Sequence, residues 1–334
     1  MIKIGIIGCG YWGPNIIRNF NSLPNCQVAG VCDSNAAMLK KISKLAPNAA
    51  TFTQAAELID SPDVDAIAVV TPVSTHFDLA KKALLSNKHV FVEKPFTATV
   101  AQGKELIEIA QKKNLQIMVD HTFLFTGAVR KIKEMIDDKT LGVIYYYDST
   151  RLNLGLFQHD VNVIWDLAPH DFSIMLHVLG EKPVAVSACG ANHINEMVNV
   201  AYVTVHFDSQ LIAHFNVNWL SPVKVRNTLI GGEKKMLLWN DVIADDKIKV
   251  YDKGVEVRDK EDINKLLVSY RSGDMYSPKL DQREALSSEC EYFVDCLEKN
   301  KTPMNDGRIG LEVVKLLEAC DESVNNDGKL IQIK

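Results

Sequence analysis

What the sequence lacks narrows its class first. Nowhere in its 334 residues does an uninterrupted apolar run reach the roughly 18–20 positions that a membrane-crossing helix needs, so no membrane partner is expected. A surplus of positive charge is also missing. The 37 Lys and Arg stand against 42 Asp and Glu, a formal net charge of −5, which argues against nucleic acid as the main partner. The seven cysteines (Cys9, Cys26, Cys32, Cys189, Cys290, Cys296, Cys320) are scattered and form no C-x-x-C pair. They read as reduced, buried thiols, as expected of a cytoplasmic protein. His89, His159, His177, His193, His206 and His214 follow no ligand spacing, so no metal is expected. There is no internal repeat, low-complexity tract or long linker. The opening MIKIGIIGCG has a short apolar run but no small-residue cleavage site, and reads as a strand rather than a secretory signal.

What is present is an ordinary globular composition, 47% hydrophobic and 24% charged, over a length that suits two domains. The first third alternates short apolar runs with amphipathic stretches. Residues 2–8, 27–32, 66–71, 89–92 and 116–119 read as strands. Residues 14–23, 36–45, 55–59, 76–87 and 100–114 read as helices. Strands such as IKIGIIG and AIAVV are apolar without alternation, as a parallel sheet covered on both faces requires. This predicts a doubly wound α/β domain.

After about residue 120 the pattern changes. Helices at 127–138 and 169–179 flank a strand at 143–150. Strand-like runs then follow one another at 184–190, 199–208, 210–218, 225–230, 235–240 and 247–252, predicting an antiparallel or mixed sheet in a second, α+β domain. Gly231-Gly232 and Asp208-Ser209 read as hairpin turns. Residues 255–277 are polar and read as a surface excursion. Residues 282–298 and 310–323 return to helical spacing, and the final GKLIQIK reads as an edge strand.

Gly8-Cys9-Gly10-Tyr11-Trp12-Gly13 is G-x-G-x-x-G set between a strand and a helix, the context that gives this short pattern meaning. Gly8 makes the tight turn, Gly10 lets the backbone approach a pyrophosphate, and Gly13 allows close helix–sheet packing. The following helix aims its N–H groups and positive dipole end at the phosphates, and Pro14 is tolerated in its first turn. Asp33 ends the second strand about twenty residues on, where a carboxylate accepts from the adenosine ribose and repels a 2′-phosphate. No arginine lies in Ser34-Asn35-Ala36-Ala37. NAD is therefore expected over NADP.

Two further segments end strands on the carboxyl edge, where ligands of such sheets bind: Thr71-Pro72 with His76 four residues beyond Pro72, and Glu93-Lys94-Pro95. A residue before proline is held extended, and the bond can be cis, which fixes the direction of Lys94. Farther on stands Asp166-x-x-x-His170. This ordered set, G-x-G-x-x-G, T-P-x-x-x-H, E-K-P and D-x-x-x-H, resembles the glucose–fructose oxidoreductase / inositol dehydrogenase / rhizopine catabolism (Gfo/Idh/MocA) family over essentially the whole chain. The resemblance implies a Rossmann domain (residues 1–121) and an α+β domain (122–334) on an open, mostly antiparallel sheet. That sheet would carry substrate binding and assembly into a homodimer or homotetramer. It also implies oxidation or reduction at a sugar or polyol carbon, with Lys94, Asp166 and His170 as the catalytic trio. Tyr11, Trp12, Thr71, Pro72, His76, Glu93 and Lys94 join Gly8, Gly10, Gly13 and Asp33 as expected cofactor contacts.

The residue chemistry agrees with that trio. Asp166 and His170 share a helix face at i, i+4 if the helix begins by Asp166, with Pro169 in its first turn. A carboxylate orients an imidazole and strengthens it as a base. Alcohol oxidation needs such a base, and positive charge at the developing alkoxide. His170 suits the acid/base role and Lys94 the polarising one, though the two can be exchanged. His121, Arg151, Asn153 and Asn162 are candidate substrate contacts, with Trp165 as a stacking or packing wall. Thr122 and Phe123 follow His121 where many family members carry an arginine, so the anion contact of those relatives is not carried over.

The expected reaction is hydride transfer between NAD and a secondary alcohol or ketone of a nucleotide-linked or amino sugar, the 3-position favoured. A free-sugar or inositol dehydrogenase is the alternative. Two other classes compete: a non-catalytic sugar or NAD sensor, and an NAD-assisted glycoside hydrolase.

Overall fold

The structure is a computed structural model that describes residues 1–155, 160–256 and 269–333. It divides into two compact units. Met1–Phe125 with Arg283–Lys315 forms the first, and Thr126–Gln282 with Leu316–Lys334 the second. The expected boundary at 121/122 misses the return of residues 283–315 to the first unit.

The first unit opens with β1 (Ile2–Ile7), α1 (Gly13–Asn21), β2 (Cys26–Cys32), α2 (Ala36–Ile42), β3 (Ala50–Phe52) and α3 (Ala55–Ile59). It continues with β4 (Ala66–Val69), α4 (His76–Leu85), β5 (His89–Glu93), α5 (Val100–Lys113) and β6 (Ile117–Asp120). The six strands are parallel, in the order β3-β2-β1-β4-β5-β6, the doubly wound arrangement expected from the apolar runs. Every residue of β4 and β6 is buried. The order reverses between β1 and β4, which opens a crevice beyond their carboxyl ends. The helix Ala285–Glu298 belongs here because of what it buries. Its Phe293 meets Phe20 of α1 and Phe91 of β5 in edge-to-face contacts at 6.2 and 5.5 Å, so a sheet face is closed by residues from the far end of the chain.

The second unit holds α6 (Gly127–Asp137), β7 (Ile144–Leu154), α7 (Val163–Leu179), β8 (Pro183–Ala191), β9 (Val200–Phe207) and β10 (Ile212–Asn218). β11 (Leu220–Gly232), β12 (Met236–Asn240), β13 (Ile248–Glu256) and β14 (Ser269–Tyr276) follow. After α8, the helix Ala285–Glu298 above, come α9 (Gly307–Val324), whose residues up to Lys315 count with the first unit, and β15 (Ile331–Gln332). The nine strands run β14-β13-β12-β11-β7-β10-β9-β8-β15. All pairs are antiparallel except β7 with β10, so the C-terminal sheet is mixed and mostly antiparallel, and β15 is indeed an edge strand. Side chains alternate. Val203, Val205, Phe215 and Val217 are buried, with Phe172 of α7 edge-on to Phe215 at 4.9 Å. On the opposite face Tyr202, Ile212 and Leu229 are exposed.

Three local expectations change. β3 has only three residues, too short for a periodic signal. Gly231 and Gly232 end β11 at a register shift rather than forming the turn, which falls at residues 233–235. The polar run 255–277 is not wholly an excursion, since β14 pairs with β13 inside it. Its part over 257–268 lies outside the described residues, as does His159.

Candidate active site

Gly8 sits at φ +102°, and a Cβ there would strike the Val70 carbonyl oxygen. A Cβ on Gly13 would strike the Gly8 carbonyl oxygen, whereas one on Gly10 would meet nothing within 4 Å. Gly8 and Gly13 are thus required by the turn's own geometry. Gly10 leaves bare backbone facing open space, as close approach of a phosphate demands. Asp33 Oδ2 accepts from the Cys9 N–H at 2.8 Å and Oδ1 from the Asn35 N–H at 2.8 Å. A carboxylate oxygen accepts twice, so each can still take a ribose hydroxyl. A cleft of about 570 Å³ opens between these groups, within the usual range for cofactor sites. Gly8, Gly10, Asp33, Thr71 and Pro72 line it, and so do Thr53, Gln54 and Asp78. Those last three were not expected. Thr53 and Gln54 follow β3, and a strand of three residues hides the loop behind it.

The other expected cofactor residues are not among those lining this cleft. Tyr11 is 90% exposed. Trp12, just before α1, donates its indole N–H to Asp120 Oδ2 at 3.3 Å. His76 is fully buried, with Nδ1 2.9 Å from the Pro95 carbonyl oxygen and Nε2 2.7 Å from that of Thr71. It therefore ties the two strand-end segments together instead of facing the cleft, and burial lowers its pKa. Lys94–Pro95 is a cis bond. Glu93 stands in register with Asp120 at the ends of β5 and β6. His121 is buried, neither ring nitrogen has a partner among the described residues, and burial lowers its pKa to about 3. It is a neutral imidazole, able to donate once and accept once.

Asp166 and His170 belong to α7 in the second unit. The helix begins at Val163, so Pro169 is interior to it and not in its first turn as expected. Asp166, Leu167 and His170 are its half-exposed positions there, which puts the carboxylate and imidazole on one face at i, i+4. Trp219 Nε1 donates to Asp166 Oδ2 at 3.0 Å and fixes the carboxylate.

Two expected substrate contacts, Arg151 and Asn162, are engaged within the fold, and Trp165 takes the packing side of its two expected roles. Arg151 is 5% exposed in β7 and grips Asp171 of α7 with two donors, Nε at 2.6 Å and Nη2 at 3.0 Å, while Ser149 donates to the same carboxylate. β7 runs on to Leu154 and carries Arg151 inward beneath α7, where only a paired charge is tolerated. Asn162 caps α7, accepting from the N–H groups of Ile164 and Trp165 and donating to Asp321 Oδ1 at 2.9 Å. Trp165 donates to Asp321 Oδ2 at 2.6 Å and is buried, a packing wall. Burial raises the pKa of Asp321 against those two donors. Asn153 remains open to a ligand role, since its Oδ1 is buried with no partner among the described residues.

No cluster of three or more His, Cys, Asp or Glu able to hold a metal occurs among the described residues, and no helix there is long and apolar enough to cross a membrane.

Residues 2–121 match the oxidoreductase family described as having an NAD-binding Rossmann fold, and residues 129–238 match the GFO/IDH/MocA C-terminal domain. The chain is similar to UDP-N-acetylglucosamine 3-dehydrogenase of Acidithiobacillus ferrooxidans, 24% identical over 94% of each protein. It is likewise 24% identical to scyllo-inositol 2-dehydrogenase (NAD(+)) of Bacillus subtilis, over 93% of this chain and 92% of the relative. The solved structure of the Acidithiobacillus enzyme shares the fold, with a TM-score of 0.80 covering 98% of this chain and 99% of that one. Both domain matches and the glycine turn with its cleft agree: the chain belongs to the GFO/IDH/MocA family of oxidoreductases and carries that family's NAD-binding Rossmann domain.

Proposed function

We propose that the enzyme moves a hydride between NAD and a secondary alcohol or ketone carbon of a sugar. The substrate is a nucleotide-linked or amino sugar, and its ring 3-position is the reacting carbon. The observation that carries the cofactor half is the cleft itself, with the bare backbone of Gly10 on one side and the Asp33 carboxylate on the other. Asp33 and Asp78 both line it, and two carboxylates disfavour a 2′-phosphate, which supports NAD over NADP. The similarity to a UDP-N-acetylglucosamine 3-dehydrogenase over nearly the full length supports the sugar half. The similarity to an inositol dehydrogenase supports a second reading, a free sugar or inositol as substrate.

The nicotinamide, when bound, supplies the hydride acceptor. His170 takes the hydroxyl proton, and Asp166, held by the Trp219 indole, orients the imidazole and stabilises its charged form. The Lys94 ammonium offsets the negative charge that grows on the substrate oxygen. Asn153 and His121 offer neutral polar groups for substrate hydroxyls or cofactor. The exposed sheet face of Tyr202, Ile212 and Leu229 supports a homodimer or homotetramer. The free cysteines, all but Cys189 buried, suit work in the cytoplasm.

A panel of UDP-sugars, free amino sugars and inositols, assayed for NADH formation, tests this reading. The expected result is turnover with a UDP-sugar and NAD. Tight sugar or NAD binding without turnover would make the protein a sensor, and sugar release without net NADH would make it a glycoside hydrolase.

A further inference from the structure

Behind the glycine-rich turn lies a group of acids that the proposed chemistry does not use. Asp120 ends β6 and is 1% exposed, and Glu289 on α8 is fully buried. Asp120 Oδ2 accepts the Trp12 indole N–H, and Oδ1 accepts the only hydroxyl proton of Thr122, at 2.5 Å. Glu289 Oε1 accepts from Asn305 Nδ2 at 3.0 Å, and Asn305 is itself anchored on the Val119 carbonyl oxygen at 2.7 Å. Glu289 Oε2 has no donor among the described residues. The Glu289 carboxyl lies against the carboxyl of Asp120. Two ionised carboxylates only accept, so such a contact requires a proton on one of them. Two buried negative charges this close cannot both persist.

We propose that Asp120 and Glu289 hold one proton between them, and that this protonated pair, through the Trp12 indole, fixes the glycine-rich turn and so sets the affinity for NAD. Both are positioning residues. The chain of contacts is continuous: Asn305 holds Glu289, Glu289 meets Asp120, and Asp120 holds Trp12 at the last position before α1. The charged and titratable groups that face the pair are Glu93 and Lys94 at the end of β5, His121 beside Asp120, and Cys290 beside Glu289. Glu93 opposes loss of the proton. Lys94 favours the charged form of Asp120, the partner that keeps the indole. His121, with its pKa near 3, stays neutral through the neutral range. Burial first, and then the Asp120 charge, hold Glu289 well above the ordinary carboxylate range. Loss of the proton at high pH leaves two facing carboxylates, which part and release Trp12.

The inference rests on the cleft being an NAD site. Its test is the Kd for NAD, measured by calorimetry from about pH 6 to about pH 9, with the unfolding midpoint followed over the same range without NAD. In the wild type, affinity weakens and the unfolding midpoint falls as pH rises. Glu289→Gln places a permanent N–H donor against Asp120. It keeps the low-pH affinity across the range and flattens both profiles. Asp120→Leu, which has no oxygen to accept the Trp12 N–H, binds NAD roughly tenfold more weakly at all pH values, the loss expected when an acceptor for a buried donor disappears. Trp12→Phe is weakened likewise and has lost the pH dependence of binding. A pH-independent wild-type Kd, or a Glu289→Gln variant that follows the wild type, would overturn the inference while leaving the cofactor reading standing. A wild type that binds no NAD at any pH would overturn both, whatever its unfolding profile.

Discussion

Lys94 and His170 are separable in the proposed reaction, and their loss should show differently. Lys94→Ala should lower kcat/KM about 10²- to 10⁴-fold by removing the charge that steadies the substrate oxygen. His170→Asn should lower kcat by a similar factor and remove the acidic limb of the pH–rate profile, because the remaining amide does not titrate. Asp33→Ser should weaken NAD about tenfold or more, as expected for a lost hydrogen bond to a charged group, and narrow the preference over NADP in paired kinetic assays. The turn geometry at Gly8 and Gly10 and the strand-end place of Asp33 were legible because they follow from local spacing alone. Arg151 and Asn162 were not. Each is claimed by an acid far along the chain, Asp171 and Asp321, and a sequence does not show which polar residue a core has already engaged.

Among the elements, α7 carries Asp166 and His170, and its anchors can be tested by denaturation. Asp171→Ala leaves the Arg151 guanidinium buried and uncompensated, at a cost of about 3–5 kcal/mol in urea unfolding. Replacing both partners with apolar residues of like volume should cost far less, because no unpaired charge then remains. Asn162→Ala removes the cap of α7, with an expected loss of about 1–2 kcal/mol. Strands buried on both faces, such as β4, announce themselves as apolar runs, and the long antiparallel strands by their alternation. β3 is too short to do so, and β14 reads as polar because an edge strand faces water. The start of α7 at Val163 was hidden as well, since the proline in the P-H-D run suggested a beginning where the helix is already in its second turn.

For the molecule as a whole, the doubly wound first unit and the mostly antiparallel second were readable from the switch in hydrophobic period near residue 120. The return of residues 283–315 to the first unit was not, because helical spacing does not reveal which face of which sheet a helix covers. The outward sheet face of Tyr202, Ile212 and Leu229 should pair copies of the chain in solution. Ile212→Asp, on that face, should reduce the mass seen by light scattering toward the monomer without lowering the unfolding midpoint. A monomeric wild type would remove this face from consideration. Hydride transfer itself is read most directly by isotope. The preferred sugar is prepared with deuterium at its 3-carbon and turned over with NAD, and the product cofactor is weighed by mass spectrometry. NADH carrying the label is the expected result. Unlabelled NADH would place the oxidised carbon elsewhere on the sugar, and sugar conversion with no NADH at all would contradict a dehydrogenase.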